Sequence, residues 1–236
     1  RDGGYNTYTV GKWHLGRTEE TSPAGRGFDR SYILVQGGAS HFDDQFAIIG
    51  NDPKAIYREN GKQVSAPEGF FSSQFYTDTM LEYIDQGRSN GKPFFALLSY
   101  TAPHWPLHVP DEWLDKYEGR YAAGYEAIRQ ERLARMKEMG LLPANVEANV
   151  PMDGALPSWD QLTDEQKRRE ARSMELYASM VDNMDHHIGR VIDYLKKTGE
   201  YDNTFILFFS DNGADGNNPE DLPGNDVWMK ENFDNS

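Results

Sequence analysis

The sequence predicts an α/β fold: a central, mostly parallel sheet flanked by helices, incomplete at both ends. Two observations carry the layer reading. Short apolar runs of strand length, Phe94 to Leu98 and Phe205 to Phe209 among them, alternate with stretches of helical periodicity. Polar residues able to do chemistry collect just after three of the runs, behind Val10, Tyr100 and Phe209. Open α/β sheets bind their ligands there, beyond the carboxyl ends of strands. The incompleteness rests on the ends themselves, since the chain opens on Arg1 rather than Met and closes on Asn232-Phe233-Asp234-Asn235-Ser236.

The elements follow in order. Thr7-Tyr8-Thr9-Val10 reads as a strand, entered through Gly3-Gly4 and left at Gly11. A turn at Gly25 to Gly27 precedes a second strand, Ser31 to Val35, which stops at Gly37-Gly38. Residues 40–72 are irregular, a long excursion or small hairpins. Phe75, Met80, Tyr83 and Ile84 space as a helix over Gln74 to Gln86, broken by Gly91-Lys92-Pro93. Phe94 to Leu98 is then a buried strand, ending in the polar loop Thr101 to Pro110. A helix over Tyr125 to Met139 stops at Gly140, and residues 141–160 form a connector. Thr163-Asp164-Glu165-Gln166 is a capping box. Behind it Met174, Tyr177, Val181, Met184, Ile188, Val191 and Leu195 step by three and four, the stripe of one long amphipathic helix ended by Gly199. Phe205 to Phe209 reads as a fully buried strand delivering Asp211-Asn212-Gly213 to its edge.

Composition excludes several classes. Hydrophobic residues are 38% and aromatics 13%, enough for a sizeable core and too many for a disordered chain. A net charge of −14 argues against nucleic acid or an anionic membrane as partner. The apolar runs are far too short to span a bilayer. With no Cys in the chain, disulfides, thiolate zinc sites and a Cys nucleophile are excluded within these residues. The acids from Glu200 onward read as a solvated loop, Asp211 excepted.

Three constellations carry chemistry. Lys12 and His14, two apart on a glycine-hinged loop after a strand, can address one small anion: the lysine as a point charge, the histidine as a proton carrier. His104 and His108 have the spacing of a zinc helix, but Pro103 and Pro106 forbid regular helix there, so zinc is rejected. His104, held between prolines, suits a proton donor or an oxyanion contact; His108 reads as peripheral. Asp211 and Asn212 are hard oxygen donors suited to Ca²⁺ or Mg²⁺, yet two are too few for a complete site. Asp182, Asp185, His186 and His187 read as a solvated helix face, and His41, Asp43 and Asp44 as a polar loop. Trp13 and Trp105 wall a pocket or anchor loops.

In this order, Gly4 to His14, Pro103-His104-Trp105-Pro106 and Phe209 to Gly213 resemble the sulfatase family of the alkaline phosphatase superfamily. Gln130 to Arg135 and the long helix into Asp202-Asn203-Thr204 look like bacterial arylsulfatases, so the resemblance covers essentially the whole chain. It implies an alkaline phosphatase-like fold and hydrolysis of small-molecule sulfate esters. Lys12 would contact the sulfate and the nucleophile, His14 would assist the nucleophile's second hydroxyl, and His104 would act as general acid on the leaving-group oxygen. Asp211 and Asn212 would bind Ca²⁺, with Mg²⁺ as the other option. Family members use a formylglycine made from a Cys, rarely a Ser.

The departures define the expectations. The paired metal-binding aspartates and the Cys-x-Pro-Ser-Arg type segment normally precede the stretch at Gly4. The 236 residues are therefore expected to be the central part of one catalytic domain, with the nucleophile upstream, and to be inactive alone. Lys230 lacks the context of the family's further substrate-binding lysine and is not assigned. A phosphodiester or phosphonate monoester hydrolase of the same superfamily, or a non-catalytic anion- or metal-binding relative, are the alternatives. Bacterial cytoplasm and periplasm, and any oligomeric state, stay open.

Overall fold

The structure is a computed structural model that describes residues 2–48, 52–149 and 157–213. It divides into two compact units, Arg1–Glu118 with Glu175–Tyr201, and Gly119–Met174 with Asp202–Ser236. The first unit holds a five-stranded mixed sheet made of β1 (Asn6–Lys12), β2 (Arg30–Leu34), β3 (Tyr57–Glu59), β4 (Lys62–Val64) and β5 (Phe94–Ser99). Their spatial order is β4-β3-β2-β1-β5. β1 is the inner strand, parallel to β2 with Val10 beside Tyr32 and parallel to β5 with Val10 beside Leu98. Parallel neighbours place their carboxyl ends together, which is what gathers the site.

The sequence explains these elements locally. β1 is rich in β-branched and aromatic residues and is buried along its inner five positions on both faces, as a strand with neighbours on each side must be. It closes on β5 at Gly11, whose φ of +113° and missing side chain let the strand pass the Ser99 carbonyl. The hairpin of β3 and β4 turns at Asn60-Gly61, both at positive φ, and the Asn60 carboxamide oxygen accepts from the Ser31 amide at 2.8 Å. The irregular stretch 40–72 thus contains the small hairpin anticipated for it, paired antiparallel to β2.

Helix α1 (Ser72–Gly87) starts two residues before its expected position. It lays Tyr76, Met80, Tyr83 and Ile84 on Tyr8, Val10, Tyr32, Leu34 and Tyr57 of the sheet. Every one of these side chains is less than 5% exposed, and the purely apolar ones, Val10, Leu34, Met80 and Ile84, each contribute about 1.5–3 kcal/mol by burial. The later part of α3 (Asp164–Lys197) belongs to the same unit from Glu175 on. Its Leu176, Met180 and Met184 pack on Ala102, Leu107, Val109 and Trp113, so the loop that follows β5 is pinned by an apolar stripe. Ser179 adds a hydrogen bond to the Trp113 carbonyl at 2.9 Å.

In the second unit α2 (Tyr125–Glu138) ends with paired bonds from Gly140 to Lys137 and from Leu141 to Met136, a Schellman closure. The capping box opens α3 as expected: Gln166 N–H donates to Thr163 Oγ1 at 3.2 Å, and Thr163 N–H donates to Gln166 Oε1 at 2.9 Å. Thr163→Ala removes the cap from an exposed helix start. It is expected to cost about 1 kcal/mol in a urea unfolding curve; an unchanged midpoint would show that the cap contributes nothing here.

β5, expected as a buried strand, is last in the strand order and only half-buried, with Phe95 54% exposed. A further expectation is corrected. Residues Phe205 to Phe209 take no regular secondary structure and are exposed, Phe205 by 90% and Phe208 by 73%. A run that is apolar on both faces is buried only when strands flank it on each side, and the ladders among the described residues involve the five named strands and not this run. Asp211 and Asn212 therefore follow an exposed stretch without regular secondary structure rather than a buried strand. Residues 214–236, including Lys230, lie outside the described residues. No helix among those described is long and apolar enough to cross a membrane.

Candidate functional site

Lys12 is the last residue of β1, and the chain leaves the sheet there because Trp13 turns into a separate apolar cluster. Trp13 is 5% exposed, donates its indole N–H to the Thr21 carbonyl at 2.9 Å, and meets Phe28 edge-on at 6.0 Å. It is a loop anchor. With Trp13 turned inward, His14 is presented outward at φ +50°, a left-handed conformation that non-glycine residues adopt at a cost. Lys12 is half-buried beside it.

His104 stands on the loop that leaves β5, the strand parallel to β1. Its backbone N–H donates to the Thr101 carbonyl at 2.9 Å, and its ring Nδ1 lies 2.6 Å from the Trp105 carbonyl. A carbonyl only accepts, so Nδ1 carries a proton and Nε2 is the nitrogen left for exchange with a ligand. Trp105 flanks the ring at 5.6 Å between centroids.

The residues between the two histidines are glycines on the loop that follows β2. A Cβ at position 37 would lie 2.6 Å from the His14 ring, and one at position 38 would lie 2.8 Å from the His104 ring. The two imidazoles thus rest against successive residues of one loop. Gly37-Gly38 looks in the sequence like a mere strand stop, and its role as a double seat is visible only when three chain segments converge. The rest of this loop is packed: Val35 to His41 are all buried, and Gln36 spans it by accepting from the Ile56 amide and donating to Asp52.

His41 corrects another expectation. It is fully buried instead of lying in a polar loop, with Nδ1 2.7 Å from Ser72 Oγ and Nε2 3.0 Å from the His104 carbonyl. Burial pushes its pKa down to about 4, so the ring is neutral at pH 7. Asp44 does cap a local turn, accepting from the Phe46 amide, whereas Asp43 accepts from the Gly69 amide 26 residues on. His108, read as peripheral, is instead packed against Phe42 at 5.3 Å with its Nδ1 toward the His41 amide, and burial lowers its pKa to about 4 as well.

On α3 the acid and imidazole group is part surface and part structure. Asp185 and His186 are exposed, whereas Asp182 is held by Lys116 and by the Tyr117 hydroxyl. His187 is 6% exposed and accepts from Arg190, which also pairs with Asp78. Asp211 and Asn212 belong to the other unit and are exposed; the Asn212 amide N–H₂ donates to the Gly213 carbonyl at 2.7 Å, which leaves its Oδ1 as the donor atom for a cation. A carboxylate and an amide oxygen fit a hard cation in kind, and supply two of the six or more oxygens that Ca²⁺ takes. Among the described residues no three His, Asp or Glu side chains gather as a metal cluster.

Comparison with known proteins agrees over the whole length. The profile of the family described as Sulfatase matches residues 1–232. An arylsulfatase of Klebsiella aerogenes is 38% identical over 240 residues, covering 100% of this chain and 50% of that protein. An uncharacterized sulfatase of Schizosaccharomyces pombe is 43% identical over 230 residues, covering 94% of this chain and 41% of that protein. The chain therefore spans half the length or less of these curated relatives. The crystal structure of Ps i-CgsB in complex with k-i-k-neocarrahexaose superposes with a TM-score of 0.54 over 86% of this chain and 36% of that one. At 24% identity it speaks for the fold alone.

Proposed function

Because the chain belongs to the sulfatase family, we propose that the complete protein hydrolyses sulfate monoesters, with Lys12, His14 and His104 as its anion and proton-handling groups. The observation that carries this reading is the convergence of the β1 and β5 ends, with both imidazoles seated on Gly37-Gly38. A positive charge and two proton carriers from adjacent parallel strands suit an ester whose bond breaking leaves negative charge on oxygen.

The division of labour follows from the atoms. Lys12 Nζ holds a sulfate oxygen by charge and up to three donors. His104, with Nδ1 committed to the Trp105 carbonyl, delivers a proton from Nε2 to the bridging oxygen as the S–O bond to the alcohol breaks. The alcohol then leaves neutral, and the bond to the Trp105 carbonyl keeps the ring oriented with Nε2 toward the substrate. His14, exposed beside Lys12, takes a proton from the nucleophile's side of the site. Asp211 and Asn212 would hold Ca²⁺, or Mg²⁺ in its place, a hard cation that would supply positive charge. With no Cys in these residues, a Cys-derived formylglycine nucleophile must come from elsewhere in the complete protein.

The test is hydrolysis by the complete protein, coexpressed with a formylglycine-generating system and offered an aryl sulfate beside an aryl phosphodiester, with and without a calcium chelator. Sulfate release that the chelator abolishes is expected, with none from the 236 residues alone. Preferred phosphodiester cleavage would transfer the protein to the phosphodiester hydrolases of the superfamily. Turnover of neither substrate would leave an anion-binding relative.

A further inference from the structure

We infer that His41 is a positioning residue for His104, holding the turn that aims its imidazole. His41 lies three strands before His104 in sequence, on the loop that follows β2, yet its ring bridges two other segments. Nε2 lies 3.0 Å from the His104 carbonyl oxygen and Nδ1 lies 2.7 Å from Ser72 Oγ at the start of α1. The tautomer is decided by the partners. The carbonyl can only accept, so Nε2 carries the hydrogen; a neutral ring then offers its Nδ1 lone pair to the Ser72 hydroxyl, which donates. Burial keeps the ring neutral at pH 7, consistent with that assignment.

The bridge is rigid at both ends. His41 is 0% and Ser72 1% exposed, and the Ser72 amide also donates to the His41 carbonyl at 2.9 Å, so ring and backbone are tied to the same helix start. Phe71 flanks the His41 ring at 6.4 Å and itself packs on Phe42 at 5.4 Å. His104 meanwhile has its backbone N–H and its Nδ1 bonded within its own turn, to Thr101 and Trp105. Those two bonds fix the shape of the turn but not its place. The bond from His41 to the His104 carbonyl ties the turn to the sheet side of the molecule. Without that donor, a part-buried carbonyl loses its partner, and the turn, still held at Ala102 and Leu107 by the α3 stripe, shifts locally between those anchors to recover one. The imidazole shifts with it.

The role rests on the reading of His104 as general acid, and the experiment separates the two. In the complete, formylglycine-bearing protein, His41→Phe, His41→Gln, Ser72→Ala and His104→Ala are compared on phenyl sulfate, a poor leaving group, and 4-nitrophenyl sulfate, a good one that needs little protonation. His41→Phe keeps the ring and removes the donor. It is expected to lower kcat/KM about 100-fold on phenyl sulfate and about 10-fold or less on 4-nitrophenyl sulfate. His41→Gln retains a donor at the reach of Nε2 and is expected to restore most of the phenyl sulfate rate. A general folding defect would lower both substrates alike, which would overturn the inference.

The double variant decides whether the effect passes through His104. Added to His104→Ala, His41→Phe should cost less than about twofold further, since coupled residues are not additive. A further loss as large as in the parent background would overturn the inference whatever His104 does. If His104→Ala itself lost equally on both substrates, the general-acid reading would fall and the cycle alone would judge His41. Should His41→Phe not fold, Ser72→Ala enters the same cycle, with a smaller loss of about 3–10-fold that must likewise vanish in the His104→Ala background.

Discussion

Alanine at position 38 is expected to lower kcat/KM on phenyl sulfate in the complete protein about 100-fold, close to the loss in His104→Ala. The added Cβ would lie 2.8 Å from His104 Cε1, 2.9 Å from its Nδ1, and 2.9 Å from Ile48 Cδ1. Contacts below 3.0 Å require something to move, and the neighbours on both sides are constrained. Ile48 is 4% exposed, and the His104 ring is tied through Nδ1 to the Trp105 carbonyl at 2.6 Å. The ring therefore gives way as a body, and a displacement of roughly 1 Å at a catalytic group costs about 10²-fold. Gly37→Ala makes the useful contrast. Its Cβ would meet the His14 ring at 2.6 Å, but His14 is exposed and has room to swing aside. Full activity in Gly38→Ala, with a normal unfolding midpoint, would show that His104 is not placed by this seat or does not act.

Gly11→Ala is expected to be the most damaging single change to stability, about 3 kcal/mol or more. Two causes add. The position sits at φ +113°, where an L side chain is strained, and the Cβ would come within 1.9 Å of the Ser99 carbonyl oxygen. That neighbour is backbone in the adjoining parallel strand, so no rotamer relieves the overlap and β1 must separate from β5 locally. Gly61→Ala isolates the first cause: φ is +82°, with nothing within 4 Å of the new atom, and the cost should be near 1 kcal/mol. Urea unfolding of both variants and the parent measures the difference. Equal midpoints for the two would mean that the β1–β5 approach adds no penalty of its own.

Much of the architecture was legible because it rests on local rules. The Thr163 capping box, the stripe of α3, the Gly140 stop of α2 and the apolar runs of β1 and β5 are each encoded within one or two turns of chain. The same holds for Lys12, His14 and His104 as candidates, since each follows a strand and carries a distinctive neighbourhood. Misreadings came where burial depends on a distant partner. Phe205 to Phe209 has the composition of an inner strand, and composition cannot supply the flanking strands that would bury it. His41 lies between Ser40 and Asp43 and looks polar and solvated; Ser72, 31 residues on, and His104, 63 residues on, make it a buried bridge.

The sequence by itself determined the element types, the order in which they occur and the chemistry available after each strand, because propensity, capping and periodicity act over a few residues. It also determined membership of the sulfatase family, through motifs that match as contiguous strings. Only the tertiary structure decided which residues meet. Gly37 and Gly38 become seats for two imidazoles, and His41 becomes a tether, because parallel pairing brings the ends of β1, β2 and β5 to one edge of the sheet. Close approach between segments tens of residues apart leaves no local trace in a chain, since the residue that permits it is often a glycine whose only signal is the side chain it lacks.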